Sequence, residues 1–163
     1  MATVSPHRLW PDPSGWSYTL GLPHDPRAPR IARTTLRAVL GSYGMGELVD
    51  TAELLACELV TNAYRHSDGP ASLKLRAMEG DRLRVSVWDT NPVIPAPFDK
   101  PPGLLPPVSP PESVGADRGR GLLLVQLCAD NWGGYPLGGD LFGTSGKLLW
   151  FELGRQRSLA AVA

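Results

Sequence analysis

Apolar and polar residues alternate along four stretches of the chain, and this period of two predicts half-buried β-strands. The first is WSYTLGL, residues 16–22. ASLKLRAM (71–78) and RLRVSVW (82–88) flank the turn EGD, which indicates an antiparallel hairpin. GKLLWFEL, residues 146–153, predicts the last strand. One face of the hairpin is apolar, with Leu73, Leu75, Leu83, Val85 and Val87, and the other carries Lys74, Arg76, Arg82 and Arg84.

Apolar residues at spacings of three and four predict helices between these strands. Pro29 suits the first turn of a helix through residues 30–40, and Gly41 suits its end. Residues 47–66 carry the widest apolar stripe and predict the longest helix. GLLLVQLCADNWG, residues 121–133, predicts a short apolar helix.

The segment from Asn91 to Asp117 contains nine of the 17 prolines, a density that helix interiors and central strands do not tolerate. It predicts a long loop, of the kind that serves as a lid or a binding loop or is disordered. The element order therefore favours an α+β fold with helices on one face of a mixed or antiparallel sheet. We expect a flexible leader over residues 1–15, one domain over 16–153 and a tail over 154–163.

Composition excludes several classes of protein. The 163 residues contain 16 Lys plus Arg and 16 Asp plus Glu, so no general positive field favours nucleic acid. Cys57 and Cys128 lie in apolar segments without metal-site spacing and are expected to be reduced core thiols. No run approaches the roughly 20 apolar residues of a membrane span, and the N-terminus lacks a signal-peptide pattern. We expect a cytoplasmic protein without direct contact to nucleic acid or membrane.

Glu58 and Asn62 are polar residues inside the apolar helix of residues 47–66, and their spacing of four places them on one face with His66. One interpretation is an exposed polar stripe. In the other, Glu58 orients or deprotonates a hydroxyl, and Asn62 offers an oxygen to Mg²⁺, a cation that often shares phosphate ligands.

Three further features fit a nucleotide, although each also has a plain structural explanation. Asp89 follows a predicted strand, where it could accept from the adenine amine or simply form a turn. Gly119 and Gly121 begin a helix, where backbone N–H groups can approach phosphate or the glycines merely turn the chain. The glycine-rich GTSG segment precedes the last strand. Neither a P-loop nor a Rossmann fingerprint is present.

Taken together and in this order, the segments ELVTNAYRH, VWDTNP, DRGRGLLLVQLCADNWG and GKLLWFEL resemble the GHKL ATPase superfamily of gyrase, histidine kinases and MutL. They look most like its small stand-alone members similar to anti-sigma-factor serine kinases, over about residues 16–153. The resemblance implies a Bergerat-type two-layer α/β sandwich. It also implies ATP and Mg²⁺ as cofactors.

For the residues, the resemblance implies that Glu58 is the catalytic base and Asn62 the Mg²⁺ ligand. Arg65 and His66 would lie near the phosphates, and Asp89 would bind the adenine amine. The backbone that would hold the β- and γ-phosphates is that of Gly119, Arg120 and Gly121.

The resemblance also implies that residues 93–118 form the ATP lid. A threonine near the adenine would be Thr144, although an alignment of GKLLWFEL places Leu148 there, and the choice stays open. Unlike most of the superfamily, this chain follows Asp89 with Thr90, Asn91 and Pro92 rather than glycines.

The implied activity is phosphorylation of a serine on an anti-anti-sigma-type protein, coupled to release or capture of a sigma factor. Homodimers are typical of similar kinases and stay open here. The competing hypothesis is a non-catalytic protein-binding module on the same fold. A histidine-kinase fragment is disfavoured because only about 15 residues precede the first strand. Arg30, Arg33 and Arg37 form either a solvated helix face, which we favour, or a docking surface.

Overall fold

A computed structural model of the chain describes residues 15–96, 98–99, 120–137 and 145–155. Gly46–Leu48 forms a short 3₁₀ turn that leads into the longest helix. The helices are α1 (Ala28–Ser42), α2 (Val49–His66) and α3 (Arg120–Cys128), and the strands are β1 (Ser17–Leu22), β2 (Ala71–Met78), β3 (Arg82–Asp89), β4 (Asn131–Leu137) and β5 (Gly146–Gly154).

The five strands form one open sheet in the order β1-β2-β3-β5-β4, and every neighbouring pair is antiparallel. Helix α2 packs against β2 and β3 on one face, and α1 and α3 pack against α2. This arrangement confirms the predicted two-layer α+β fold. The sequence allowed a mixed sheet, whereas the described strands contain only antiparallel pairs.

The core lies between α2 and the sheet. Because the side chains of a strand alternate between faces, the apolar residues of the predicted hairpin all point toward the helices and are buried. Helix α2 meets them with a stripe at helical spacing, which includes Ala52, Leu55, Leu59 and Ala63. The helix therefore packs on the sheet along its apolar side, and this orientation determines where its polar residues lie.

The prediction of a helix over residues 121–133 is wrong at its C-terminal end. Helix α3 ends at Cys128, and Asn131–Leu137 forms strand β4 at the edge of the sheet. Two glycines and a proline hide this strand in the sequence, because both residue types are rare in strands. An edge position tolerates Pro136, and Trp132 supplies the inward apolar contact at 5 % exposure.

Two smaller expectations also need correction. Helix α1 begins at Ala28 and continues through Gly41 to Ser42, so Gly41 does not end it. Cys128 is exposed rather than part of the core, because it lies on the last turn of α3; Cys57 is half-buried, and both thiols are free.

The arginines of α1 contribute to the packing of the two long helices. Arg33 and Arg37 both form ion pairs with Glu53 of α2, the Arg33 contact being 3.1 Å long. The hydrogen bond from Arg37 holds the pKa of Glu53 below its ordinary value. Arg33 and Arg37 thus remain about half exposed while they connect α1 to α2, and Arg30 is exposed.

The face of the sheet opposite the helices contains a buried carboxylate. Glu152 of β5 is 4 % exposed and accepts hydrogen bonds from Arg82, Arg84 and Asn131. The Arg84 guanidinium also lies 4.4 Å from the Trp150 ring centroid, a cation–π contact. Burial opposes ionisation of Glu152, but the hydrogen bonds outweigh it and hold its pKa below the ordinary value.

We expect Glu152→Gln to lower the free energy of unfolding by about 1–2 kcal/mol near neutral pH. The substitution removes the buried negative charge that pairs with Arg82 and Arg84, and the effect is moderate because these arginines are partly exposed. A lowered folded pKa contributes stability above the unfolded pKa and loses it as pH falls through the folded value. The difference should therefore shrink on acidification in urea denaturation curves. Glu79→Gln, in the exposed β2–β3 turn, is the control. An equal effect of both variants at every pH would contradict this assignment.

Candidate functional site

Glu58, Asn62 and His66, predicted on one face of α2, form a polar column along the edge of the helix, next to its buried side. Glu58 is half-buried, Asn62 is 8 % exposed, and Arg65 and His66 are exposed in the last turn. The Oδ1 atom of Asn62 is buried and has no hydrogen-bond partner among the described residues. Because buried polar atoms are rarely left unpaired, this amide oxygen is a candidate for ligand contact.

Glu58 lies against the first turn of α3. A Cβ atom built on Gly121 would stand 1.8 Å from the Oε2 atom of Glu58, so only glycine fits beside this carboxylate in its present position. Helix N-termini present free N–H groups and the positive end of the helix dipole. The structure therefore brings two of the predicted site residues together.

Asp89, at the end of β3, forms a buried ion pair that was not predicted from the sequence. The ammonium of Lys147, the second residue of β5, lies 2.9 Å from Asp89 Oδ1 and 2.8 Å from Oδ2. The two side chains are 2 % and 1 % exposed, respectively. A buried charge is tolerated when it is paired and hydrogen-bonded, and both conditions hold here.

The ion pair is connected to the end of α2 through Asn91. The backbone N–H of Asn91 donates to Asp89 Oδ1 at 2.8 Å, and its side-chain Nδ2 donates to the carbonyl of His66 at 2.7 Å. The Lys147 ammonium lies 3.3 Å from the Asn91 carbonyl. Asn91 thus holds the strand end, the helix end and Lys147 in one hydrogen-bond network.

The position of Lys147 follows from the pairing of β3 and β5. Asp89 is directly opposite Lys147 in the antiparallel register, so both side chains lie on the helix-covered face. A Cβ on Gly146 would stand 2.2 Å from the Asp89 carbonyl oxygen, and this close approach requires glycine at the start of β5. The register therefore places the ammonium beside the carboxylate.

The remaining predicted residues are distributed as follows. Gly119 and Thr144 lie outside the described residues, and Arg120 is described only as the first residue of α3. Of the predicted lid, residues 93–96 and 98–99 are described. Leu148 alternates with Lys147 along β5, and therefore lies on the open face of the sheet opposite Trp88. The β5 side chain at Asp89 is that of Lys147.

A signal for Lys147 was present in the sequence. Along GKLLWFEL, the period of two places Lys147 on the same face as Leu149, Phe151 and Leu153. A lysine on the apolar face of a strand predicts a buried acid nearby, because an unpaired buried ammonium is costly. The identity of that acid required the register between β3 and β5.

These observations define a class of protein: a two-layer α+β domain with an acid and an amide along one helix and a carboxylate at a strand end. In a comparison with protein families, residues 22–135 match the histidine kinase-like ATPase domain. The match covers more than half of the chain, and the chain belongs to this family, within the GHKL superfamily. It is accordingly an ATP-binding domain of the GHKL type. In a comparison with curated proteins, none matches the chain.

The residues present fit Mg²⁺ with its nucleotide at the α2 end of the site. Mg²⁺ prefers oxygen ligands, and it usually combines one or two protein ligands with phosphate oxygens and waters. The buried oxygen of Asn62, which has no hydrogen-bond partner in the part of the chain that the structure describes, meets this requirement. The described residues contain no group of three or more His, Cys, Asp or Glu side chains that could hold a metal alone.

No helix among the described residues is long and apolar enough to cross a membrane.

We expect Asn62→Ala to abolish the part of ATP affinity that depends on Mg²⁺. Titration calorimetry should show tighter ATP binding in Mg²⁺ than in EDTA for the parent chain, and at least about a tenfold loss in Mg²⁺ for the variant. The free energy of unfolding should change by less than about 1 kcal/mol, because Oδ1 makes no hydrogen bond to a described residue that the substitution would break.

Asn131→Ala is the matched control for this experiment. Asn131 donates a hydrogen bond to Glu152 on the other face of the sheet, so its loss should reduce stability and leave the effect of Mg²⁺ on binding unchanged. Equal dependence on Mg²⁺ in the parent chain and Asn62→Ala would exclude Asn62 as a ligand.

Proposed function

We propose that this protein is a cytoplasmic, Mg²⁺-dependent protein serine kinase of the anti-sigma-factor type. In this proposal the kinase phosphorylates a serine of an anti-anti-sigma-type protein. The kinase binds either that protein or a sigma factor, and the phosphorylation changes which of the two it binds. Transcription would thus be controlled by partner switching rather than by direct contact with DNA. The equal numbers of acidic and basic residues support the last point.

The observation that carries the proposal is the arrangement of Glu58 and Asn62 on α2. Glu58 is a half-buried acid against the start of α3, and Asn62, one turn away, has a buried oxygen that no described residue hydrogen-bonds. Phosphoryl transfer needs little beyond positioning, charge neutralisation and an acceptor for the hydroxyl proton. A metal ligand supplies the charge neutralisation through its metal ion, and an acid beside it supplies the proton acceptor.

In the proposed reaction, Glu58 accepts the proton of the substrate serine as its oxygen bonds to the γ-phosphorus of ATP. The bond between that phosphorus and the bridging oxygen of ADP breaks, and ADP leaves. Asn62 would hold Mg²⁺, which, when bound, neutralises charge on the phosphates. The backbone at the start of α3 would contact the phosphates, as helix N-termini commonly do.

We expect Glu58→Gln to slow transfer to the serine by about 10²–10⁴-fold, because general-base catalysis contributes on that order. The binding partner would first be captured by cross-linking, then incubated with the kinase and γ-labelled ATP. Mass spectrometry would locate the phosphoserine.

Glu47→Gln, at an exposed glutamate before α2, is the matched control and should transfer phosphate at the parent rate. The affinity of Glu58→Gln for Mg²⁺-ATP should stay within a few-fold of the parent value, which separates a loss of chemistry from a loss of binding. Transfer by Glu58→Gln at the parent rate would show that the base is wrongly assigned.

The second candidate function is a non-catalytic protein-binding module on the same fold, with weak or no nucleotide binding. The specific observation in its favour is that Lys147 already occupies the carboxylate of Asp89. Calorimetry and thermal denaturation with millimolar ATP and Mg²⁺ distinguish the two candidates. Absence of both heat and a thermal shift would favour the binding module.

A further inference from the structure

We propose that Lys147 determines the affinity and base preference of this domain, because its ammonium occupies the carboxylate that would otherwise accept the amine of adenine. This inference rests on the nucleotide-binding part of the proposed function and does not require kinase activity. It makes Lys147 a specificity-determining residue: the purine must compete with an internal donor for Asp89.

The hydrogen-bonding capacity of the pair is nearly exhausted. Asp89 Oδ1 accepts from both the Lys147 ammonium and the Asn91 N–H, and Oδ2 accepts from Lys147. An ionised carboxylate offers about four acceptor positions, so roughly one remains. Lys147 has three donors, and its contacts with the two carboxylate oxygens and the Asn91 carbonyl account for them.

Burial strengthens this competition. Both side chains are almost fully excluded from solvent, so water does not screen the attraction between the two charges. A neutral amine on a purine can donate a hydrogen bond to Asp89, but it cannot replace the positive charge. If the purine displaced Lys147, the ammonium would have to find another partner or reach solvent, and either step weakens binding.

The backbone opposes an easy withdrawal of Lys147. Its Cα is held opposite Asp89 by the register of β3 and β5, and the next strand in the sheet, β4, pairs with the other edge of β5. The close approach of Gly146 to the Asp89 carbonyl fixes the start of the strand further. The side chain alone must move, which makes substitution of Lys147 a direct test.

Lys147→Met keeps the length of the unbranched side chain and removes the charge and all three donors. The resulting free carboxylate should accept the adenine amine, and ATP affinity in Mg²⁺ should rise by about ten- to a hundredfold, the range for a hydrogen bond to a charged group. Inosine triphosphate carries a carbonyl oxygen in place of the amine, so its affinity should not rise. Titration calorimetry with both nucleotides measures the ratio.

Two further measurements remain informative if Lys147→Met folds poorly. The parent chain should distinguish ATP from inosine triphosphate by less than about threefold, because Lys147 and Asn91 already take most of the acceptor positions of the Asp89 carboxylate. The double variant Asp89→Asn/Lys147→Met leaves no buried unpaired charge, and should fold while lacking the gain for ATP.

Three results would overturn the inference: a parent chain that prefers ATP more than about tenfold, a Lys147→Met chain that binds ATP no more tightly, or equal gains for both nucleotides. A gain for ATP without phosphate transfer to any partner would support the role of Lys147 and reject the kinase. Conversely, transfer by a parent chain that strongly prefers ATP would support the kinase and reject the role of Lys147.

Discussion

The packing of α2 against the antiparallel sheet is the constraint on which the rest of this structure depends. The helix must bury its apolar stripe on β2 and β3, and this orientation places Glu58 and Asn62 along the edge of the contact. Both side chains are consequently held beside a desolvated core, where hydrogen bonds and charges count for more than in water. The position of the polar column is thus a result of how the core is filled.

The same constraint connects the two ends of the candidate site. The last turn of α2 ends beside the loop that follows β3, and Asn91 joins them through the His66 carbonyl and Asp89. Here a side chain makes the connection, and the strand end is correspondingly braced.

The ion pair of Asp89 with Lys147 illustrates that a site residue can have the expected position and a different environment. Removing two charges from water carries a large desolvation cost, which mutual attraction and added hydrogen bonds offset. Such a pair is weak evidence for net stability, and here it joins the end of β3 to the start of β5. It leaves the carboxylate of Asp89 with a partner inside the domain.

The sequence by itself determined the features that depend on local periodicity. The strands of the hairpin, the long helix, the last strand and the α+β class followed from spacings of two and of three to four, because burial on one face imposes those periods. Strand β4 escaped detection because Gly133, Gly134 and Pro136 disfavour strands, and its pairing with β5 is a contact between distant segments that no local pattern contains. Motif order also indicated the family, which the match over residues 22–135 confirms.

Only the tertiary structure decided which side chains meet across elements. The contact of Glu58 with Gly121 depends on how α3 packs on α2, and that of Asp89 with Lys147 depends on a register between residues 58 positions apart. The sequence could indicate that Lys147 faces inward, but not which acid it meets. Pairings between distant segments are selected by the summed packing of the whole core, and no local pattern contains that sum.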